Sequence, residues 1–247
     1  MQEERPFVMS IAGFDPSGGA GVLADIKTFE QLKVQGLAVC SAMTLQTESE
    51  FYTLQWQPID EILSATDVLM KKYKVEAVKI GVVKDAKFLA QIVEKLKSIN
   101  PEVKIVWDPV LKSTSEFSFF DLNTISELKN VLDQIDLIIP NYNEYSVLKE
   151  HHLFEPSENG CSVLIKGGHR EDKIGTDILW ENGKEISIKP NNTTSVFYPK
   201  HGSGCVLSSA IASHLAKGEN LQNACRKGKL YIEKFLTSNQ MLLGFHS

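Results

Sequence analysis

The 247-residue sequence predicts an α/β fold with a mostly parallel central sheet, helices on both faces of the sheet and an antiparallel hairpin at its edge. Three observations lead to this prediction. Short, nearly continuous apolar runs stop at Gly or Pro, which is typical of strands buried on both faces. Segments with apolar residues at helical spacing alternate with the early runs, which favours parallel strands joined by helices. Asn182-Gly183 lies between two strand patterns, a strong signal for a hairpin.

The strands are predicted from the apolar runs and from the residues that end them. The first covers 7–12 and stops at Gly13, and the fourth covers 104–107 and stops at Asp108-Pro109. Runs of the same kind cover 37–43, 77–82, 136–139 and 162–166, and the hairpin strands cover 177–180 and 185–189.

Helices are predicted where apolar residues recur every three or four positions. Val22, Ile26 and Phe29 mark the first helix, which extends to about residue 34. The others are predicted over 58–73 and 85–96, around 125–132, from about Gly204 onward, and over 221–235. Because no repeat, low-complexity segment or linker separates these elements, residues 1–247 are predicted to form a single domain.

Composition narrows the classes of function. The net charge is −5, the pI is about 5.7, and the sequence lacks the basic stripe that a nucleic-acid surface needs. No signal peptide or apolar span is visible, and the four cysteines form no Cys-x-x-Cys pair, which argues against a zinc site and a disulfide framework. We therefore expect a cytoplasmic protein that binds neither nucleic acid nor membranes.

The segment Gly202-Ser203-Gly204-Cys205 precedes an apolar run that predicts a buried helix. A glycine turn at a helix N-terminus presents unpaired N–H groups and the positive end of the helix dipole. Such a place binds anions and suits an oxygen that gains negative charge during phosphoryl transfer. Because helix N-termini and nearby cations lower the pKa of thiols, Cys205 beside His201 and Lys200 is predicted to be partly thiolate. The alternative is a plain helix start with a buried, unreactive cysteine.

Polar residues follow several of the predicted strands. Because ligands bind beyond the carboxyl ends of parallel strands, we expect these residues to share one edge of the sheet. Two carboxylates, a lysine and a glycine anion hole make up most of a metal–nucleotide phosphoryl-transfer site. The residues are Gly13 and Asp15 after the first strand, Thr44 and Gln46 after the second, Asp108 after the fourth, Asn141 and Glu144 after the fifth, and Lys166 at the end of the sixth.

Other nucleotide sites fit the sequence less well. The Walker A pattern and the protein-kinase catalytic loop are absent. Residues 19–24 satisfy G-x-G-x-x-A before a helix, which is a weak signal for a dinucleotide site. In that motif the strand runs directly into the first glycine, whereas here residues 14–18 intervene, and we discount a dinucleotide enzyme for this reason.

An ordered set of motifs runs from Ile11 to about Phe235. These motifs are AGFDPSGGAG over 12–21, ADIKTF over 24–29, KIG over 79–81, DPV over 108–110, PN over 140–141 with Glu144, KGGH over 166–169 and HGSGC over 201–205. The set resembles the hydroxymethylpyrimidine/phosphomethylpyrimidine kinases of thiamin biosynthesis, and the first and last motifs are together quite specific. The resemblance implies a ribokinase-like fold and ATP- and Mg²⁺-dependent phosphorylation of 4-amino-5-hydroxymethyl-2-methylpyrimidine and then its monophosphate.

The resemblance also implies roles for particular residues, and it leads us to expect a homodimer. Cys205 stands at the position where related sugar kinases carry a catalytic Asp. In this chain Cys205 would activate the substrate hydroxymethyl group or, beside Gly202 and Gly204, help to hold the phosphoryl oxygens. Asp108 and Glu144 would serve the magnesium ion. The pyrimidine would be held by Gly13, Asp25, Thr44, Gln46 and Val82, and the ATP phosphates by Asn141, Lys166 and Ser203.

The sequence departs from the family pattern at several places. The segment Leu45-Gln46-Thr47-Glu48 differs from the usual one, Val82 stands where Met is frequent, and Thr114 replaces a flap glycine. A helix expected between Glu144 and the sixth strand is predicted to be reduced to 151–160. These departures leave substrate identity and the second phosphorylation open. A vitamin B6 kinase of the same superfamily and a non-catalytic pyrimidine- or nucleotide-binding protein are therefore the alternatives.

Overall fold

A computed structural model describes residues 4–112, 117–153, 160–168, 175–191 and 196–247. Within these ranges the chain forms one sheet of nine strands. The strands are β1 Phe7–Phe14, β2 Gln35–Gln46, β3 Phe51–Trp56, β4 Val75–Ile80, β5 Lys104–Trp107, β6 Leu137–Ile138, β7 Ser162–Ile165, β8 Asp177–Glu181 and β9 Lys184–Ile188. Their order across the sheet is β3-β2-β1-β4-β5-β6-β7-β8-β9.

The six central strands, β2, β1, β4, β5, β6 and β7, are parallel to one another. At one edge β3 pairs antiparallel with β2, and at the other edge β8 and β9 pair antiparallel. The edge hairpin is β8–β9, and its turn is made by Asn182 and Gly183 with φ of 50° and 72°. A positive φ at both turn positions is the conformation that Asn-Gly favours. The predicted parallel sheet with an antiparallel edge hairpin is confirmed.

The helices are α1 Gly21–Gln31, α2 Ile59–Lys72, α3 Ala86–Ile99, α4 Lys129–Leu132, α5 Tyr142–Glu150, α6 Ser203–Ala216 and α7 Leu221–Thr237. They cover both faces of the sheet and enclose two apolar cores. One core packs α2, α3 and α5 against the sheet through residues such as Ile62, Leu89 and Leu148. The other packs α1, α6 and α7 through residues such as Phe29 and Ile211. Among the described residues, no helix is both long and apolar enough to cross a membrane.

Three elements differ from the predictions. The sequence did not predict β3, which pairs with the extended end of β2, because this hairpin is half exposed and lacks a continuous apolar run. The helix around 125–132 is a 3-10 turn over Leu122–Leu128 that runs into the short α4. The reduced helix placed at 151–160 lies partly outside the described residues, and the helix that precedes it is α5.

A buried ion pair joins the elements that form the carboxyl end of the sheet. Lys79 of β4 lies 2.8 and 3.0 Å from the two carboxylate oxygens of Asp25 in α1, and both side chains have no exposed surface. Ser10 of β1 donates to the same carboxylate at 2.5 Å, and Ser209 of α6 donates at 2.7 Å. Burial opposes the charged form of Lys79, but the charge and hydrogen bond of Asp25, together with the electrostatic contributions of Cys205 and Asp108, outweigh burial and raise the pKa of Lys79. Lys79 therefore stays charged, and the Asp25 carboxylate accepts hydrogen bonds from three side chains.

We expect Lys79→Met to lower the free energy of unfolding by about 3–5 kcal/mol, because it leaves the Asp25 carboxylate buried without its cation. The double variant Asp25→Asn/Lys79→Met should recover part of this loss, since no uncompensated charge remains. Urea unfolding followed by circular dichroism measures both effects. Lys74→Met, which removes an exposed lysine paired with Glu76, is the matched control and should change stability little. An equal loss in the Lys79 and Lys74 variants would contradict the role of the buried pair.

Candidate active site

A cavity of about 350 Å³ opens at the carboxyl ends of the parallel strands, which is a size typical of small-molecule sites. The loop after β1, the ends of β2 and β4, and the N-terminus of α6 border it. Among the sequence-predicted site residues, those that line the cavity are Gly13, Thr44, Gln46, Val82, Asp108, Asn141, Glu144, Lys166, Gly202, Ser203, Gly204 and Cys205. The expectation that these residues share one edge of the sheet is confirmed.

The glycine turn before α6 has the geometry of an anion site. Gly202 caps the helix with φ of +71°, and a Cβ at this position would lie 2.0 Å from the carbonyl oxygen of Gly19. Only glycine fits such a conformation and approach without displacing the loop after β1. The N–H of Val206 bonds to the Gly202 carbonyl oxygen, so the amides of residues 203–205 have no acceptor within the helix. These amides border the cavity and add to the positive end of the helix dipole.

Asp15 links the loop after β1 to this turn. Its carboxylate accepts hydrogen bonds from the N–H of Ser17 at 2.9 Å and of Ala20 at 2.8 Å, and lies 2.9 Å from Nε2 of His201. Burial opposes its ionisation, but the bonds from His201, Ser17 and Ala20 outweigh burial and lower the pKa of Asp15. The ionised Asp15 thus holds the loop and the residue before Gly202 in register.

Lys200 points away from the cavity centre and toward the C-terminal segment. Its Nζ donates to the carbonyl oxygens of Asn239 at 2.5 Å and of Met241 at 2.6 Å. The N–H of His201 donates to the carbonyl oxygen of Leu242 at 2.9 Å. Residues 239–242 therefore hold Lys200 and His201, which directly precede the anion turn, through hydrogen bonds.

Cys205 lies in the first turn of α6 and faces the Lys79–Asp25 pair. Burial raises the pKa of its thiol, and the Lys79 ammonium lowers it by a smaller amount. Lys200 and His201, which sequence reasoning placed next to the thiol, are engaged with the C-terminal segment and with Asp15. The expectation of a lowered thiol pKa is therefore wrong for this structure, because burial outweighs the nearby cation.

A lysine bridges the two carboxylates expected to serve a metal. Nζ of Lys166 lies 2.8 Å from Oδ1 of Asp108 and 3.8 Å from Oε2 of Glu144. Burial raises the pKa of Glu144, and the charge of Asp108 adds to this effect, while Lys166 and backbone N–H groups oppose it. Asn141 and Glu144 form a capping box that starts α5, which fixes the Glu144 carboxylate at the strand end.

These residues provide a partial ligand set for a divalent cation. Asp108 and Glu144 both line the cavity, and the charge of Asp108 contributes to the raised pKa of Glu144. Carboxylate oxygens are hard donors, and a cation bound between them would relieve their repulsion. The described residues contain no group of three or more His, Cys, Asp or Glu side chains able to hold a metal alone. A magnesium ion fits here only with phosphate and water oxygens completing its shell.

The other end of the cavity is lined by Gly13, Thr44, Gln46 and Val82. A Cβ at Gly13 would lie 3.0 Å from Cγ2 of Val82, so the glycine keeps this end open. Gln46 donates from Nε2 to Oγ1 of Thr44 at 2.9 Å, and Thr44 donates to the carbonyl oxygen of Phe14 at 2.8 Å. This chain of hydrogen bonds orients the Gln46 amide and leaves its carbonyl oxygen and one N–H for a ligand.

Aromatic rings near the flap, the segment that follows Asp108-Pro109-Val110, close this end of the cavity. Phe51 of β3 packs against Phe117 and Phe119 with ring centroids 4.7 and 5.3 Å away. Lys112 and Ser118 form an antiparallel bridge at the base of the flap. The flap substitution at Thr114 lies outside the described residues.

Asp25 is placed differently from the role that the resemblance implies. It lies beneath the cavity floor, where its oxygens bind Lys79, Ser10 and Ser209, and it does not line the cavity. Lys79 was not among the sequence-predicted site residues, and Asp15 was predicted to lie at this edge of the sheet without a role. The signals were present, since Lys79 interrupts an apolar strand and Asp15 stands in the glycine loop.

The chain is similar to proteins of known sequence and structure over nearly its whole length. The sequence profile of the family described as phosphomethylpyrimidine kinase matches residues 15–246. A hydroxymethylpyrimidine/phosphomethylpyrimidine kinase from Aquifex aeolicus is 32% identical over 246 residues, which cover 95% of each chain. The crystal structure of phosphomethylpyrimidine kinase from Clostridium difficile superposes with a TM-score of 0.73 at 29% identity, covering 92% of this chain and 98% of that chain.

Pyridoxal kinases share the architecture at lower identity. The enzyme from Staphylococcus aureus in complex with AMP-PCP superposes with a TM-score of 0.79 at 21% identity, covering 96% of this chain and 89% of that chain. This likeness concerns the fold alone, and it confirms the ribokinase-like architecture implied by the sequence motifs.

We expect the alkylation of Cys205 by iodoacetamide to rise with pH through a midpoint above 9.0, the ordinary value for a thiol, because burial disfavours the thiolate. Mass spectrometry of the Cys205 peptide, sampled over time at each pH, gives the rates. The same peptide from urea-unfolded protein provides the reference midpoint. A midpoint in the folded protein below that of the unfolded chain would show that the helix N-terminus and Lys79 dominate instead.

Proposed function

The chain belongs to the phosphomethylpyrimidine kinase family, phosphotransferases of thiamin biosynthesis, and we propose that it uses ATP for two successive phosphorylations. The first transfers the γ-phosphoryl group to the hydroxymethyl group of 4-amino-5-hydroxymethyl-2-methylpyrimidine. The second transfers the γ-phosphoryl group of another ATP to the phosphate of the monophosphate product. The hydroxyl oxygen attacks phosphorus in the first transfer, the bond to the ADP oxygen breaks, and a proton is released.

One observation carries the proposal: the anion turn and the charged cluster meet at Gly204. A Cβ at Gly204 would lie 3.3 Å from Nζ of Lys166 and 3.4 Å from Oδ2 of Asp108. The amides of residues 203–205, the Lys166 ammonium and the two carboxylates all belong to residues that line the same cavity. Because the transition state of phosphoryl transfer spreads negative charge over the phosphoryl oxygens, positioned N–H groups and cations are what the reaction requires.

The substrates approach this point from opposite ends of the cavity. We place the pyrimidine between Gly13 and Val82, where the Gln46 amide can both accept from and donate to an aminopyrimidine edge. ATP occupies the other end, beside Asn141, Lys166 and Ser203, and AMP-PCP bound in the S. aureus pyridoxal kinase supports a nucleotide site in this architecture.

Magnesium would be held by Asp108 and Glu144 at the phosphate end. Its charge would neutralise phosphate oxygens as the phosphoryl group is transferred. Lys166 already neutralises part of the carboxylate charge in the structure. Burial lowers the pKa of this lysine, but the charges of Asp108 and Glu144 and the hydrogen bond to Asp108 together outweigh burial and leave the pKa raised. Lys166 therefore stays protonated and available to the phosphate oxygens.

The role that the resemblance implies for Cys205 stays a prediction. Its thiol stands between Lys79 and the anion turn, and its raised pKa means that the free protein holds a neutral thiol rather than a preformed base. A loose transition state needs little help from a base until late in the transfer. In this proposal the backbone N–H of Cys205 holds the phosphoryl oxygens, and the hydroxyl proton passes late in the transfer to an oxygen of the transferred phosphoryl group, because a neutral thiol cannot accept it.

The proposal is tested by incubating the purified protein with ATP and Mg²⁺ and each of four alcohols or phosphates: the hydroxymethylpyrimidine, its monophosphate, pyridoxal and pyridoxine. We expect phosphorylated products from the first two, detected by mass spectrometry, and we expect Lys166→Met to lose activity while remaining folded. Turnover of pyridoxal or pyridoxine alone would establish a vitamin B6 kinase. Binding of the pyrimidine without any product would establish a non-catalytic binding protein.

Asp108→Asn and Glu144→Gln should each raise the magnesium concentration for half-maximal activity by roughly 10–100-fold, because an amide carries no charge to hold the cation against phosphate. Pyrimidine affinity, measured by calorimetry without nucleotide, should stay nearly unchanged. Glu150→Gln is the matched control, since Glu150 ends the same helix and is exposed. Full activity of both variants at low magnesium would contradict this assignment.

The homodimer and the cytoplasmic location expected from the sequence also stay predictions. Light scattering coupled to size-exclusion chromatography measures the mass of the particle in solution.

A further inference from the structure

A second buried ion pair lies at the nucleotide end of the cavity, away from Asp25 and Lys79. Asp177 at the start of β8 and Lys229 of α7 are 2.9 Å apart, and their side chains are only 5% and 8% exposed. Both residues line the cavity, and the proposed chemistry uses neither. Their partners indicate what they do.

Both members of the pair bind the backbone of the glycine segment that follows β7. Oδ1 of Asp177 accepts from the N–H of Gly167 at 2.8 Å. Nζ of Lys229 donates to the carbonyl oxygen of Gly175. The two glycines are themselves joined, because the N–H of Gly175 donates to the carbonyl oxygen of Gly167 at 3.0 Å. The ion pair thus fastens together the two ends of the segment 167–175.

The backbone at Gly167 and the backbone at residues 175–176 pass very close to each other. A Cβ at Gly167 would lie 1.9 Å from the carbonyl oxygen of Thr176, and Gly175 has φ of +75°. Backbone groups at such a crossing are shielded from water and need partners within the protein. The carboxylate and the ammonium supply those partners.

The segment that begins at Gly167 directly follows Lys166, which the proposed function places at the ATP phosphates. The N–H of Lys166 donates to the carbonyl oxygen of Pro140 at 2.9 Å, and its ammonium contacts Asp108. A shift of Gly167 would therefore move the backbone that carries Lys166. Within the described part of the chain, no hydrogen bond or ion pair joins Asp177 or Lys229 to Gly13 or Gln46 at the pyrimidine end of the cavity.

We propose that Asp177 and Lys229 are positioning residues that fix the backbone at Gly167 and Gly168 for the nucleotide, and that they act on nucleotide affinity while leaving pyrimidine binding unaffected. The inference rests on the proposed placement of ATP at this end of the cavity. A buried ion pair is a weak source of stability, and specificity of structure is a better-attested use for it.

The test measures binding rather than turnover. Affinities for AMP-PNP with Mg²⁺ and, separately, for the hydroxymethylpyrimidine are measured by calorimetry on the wild type, Lys229→Met, Asp177→Ala and Asp177→Asn. We expect Lys229→Met and Asp177→Ala to weaken nucleotide binding about tenfold or more, the size expected when charge-assisted hydrogen bonds are lost. Pyrimidine affinity should stay within about twofold. Asp177→Asn keeps an oxygen for the N–H of Gly167 and should lose less than Asp177→Ala.

The control is Lys227→Met, which removes a lysine of the same helix that pairs with Glu219 at the surface, and which should leave both affinities unchanged. Unchanged nucleotide affinity in the folded Asp177 and Lys229 variants would overturn the inference, as would an equal loss of nucleotide and pyrimidine binding. If Lys229→Met does not fold, the difference between Asp177→Ala and Asp177→Asn decides the question. Failure of the wild type to bind nucleotide would instead overturn the proposed function.

Discussion

The buried carboxylate of Asp25 is the constraint on which the arrangement of the site depends. It receives hydrogen bonds from β1, β4 and α6 while standing on α1, so four elements meet at one charge. A carboxylate without surface exposure has to be matched by donors on every side, which fixes the relative positions of those elements. Because α6 also carries the anion turn, the hydrogen bond from Ser209 to Asp25 ties the position of that turn to the buried pair. The ion pair thus acts on function from beneath the cavity.

The edge of the sheet where the chemistry lies could be predicted from the sequence, for a simple reason. A Gly or Pro after an apolar run marks the carboxyl end of a predicted strand. Polar residues that follow such ends lie at one edge of a parallel sheet. Asp108, Asn141, Glu144 and Lys166 were found in this way, and the structure brings them together. The glycine turn was predicted because its glycines precede an apolar run typical of a buried helix, and a helix N-terminus presents unpaired N–H groups to anions.

What the sequence did not predict depends on burial and direction. Helical spacing shows that Asp25 is in α1, but it does not show that this carboxylate faces inward to Lys79. The pKa of Cys205 was misjudged because adjacency in sequence placed two cations beside the thiol, whereas Lys200 points to the C-terminal segment. The strand β3 was missed because a half-exposed hairpin lacks an apolar run. Each of these is a tertiary effect that local pattern does not encode.

The link between Asp15 and His201 has a consequence for how the protein is made. The two residues are 186 positions apart, and the strands between them add to the sheet before α6 can dock. Contacts of such long range are slow to form, because chain entropy is lost before the contact stabilises the structure. During synthesis the end of the cavity at Gly13 and Gln46, built from the first third of the chain, emerges before the helix that carries the glycine turn. The apolar faces of β1 and β4 lack α6 until then, and transiently exposed apolar surface of this kind promotes aggregation.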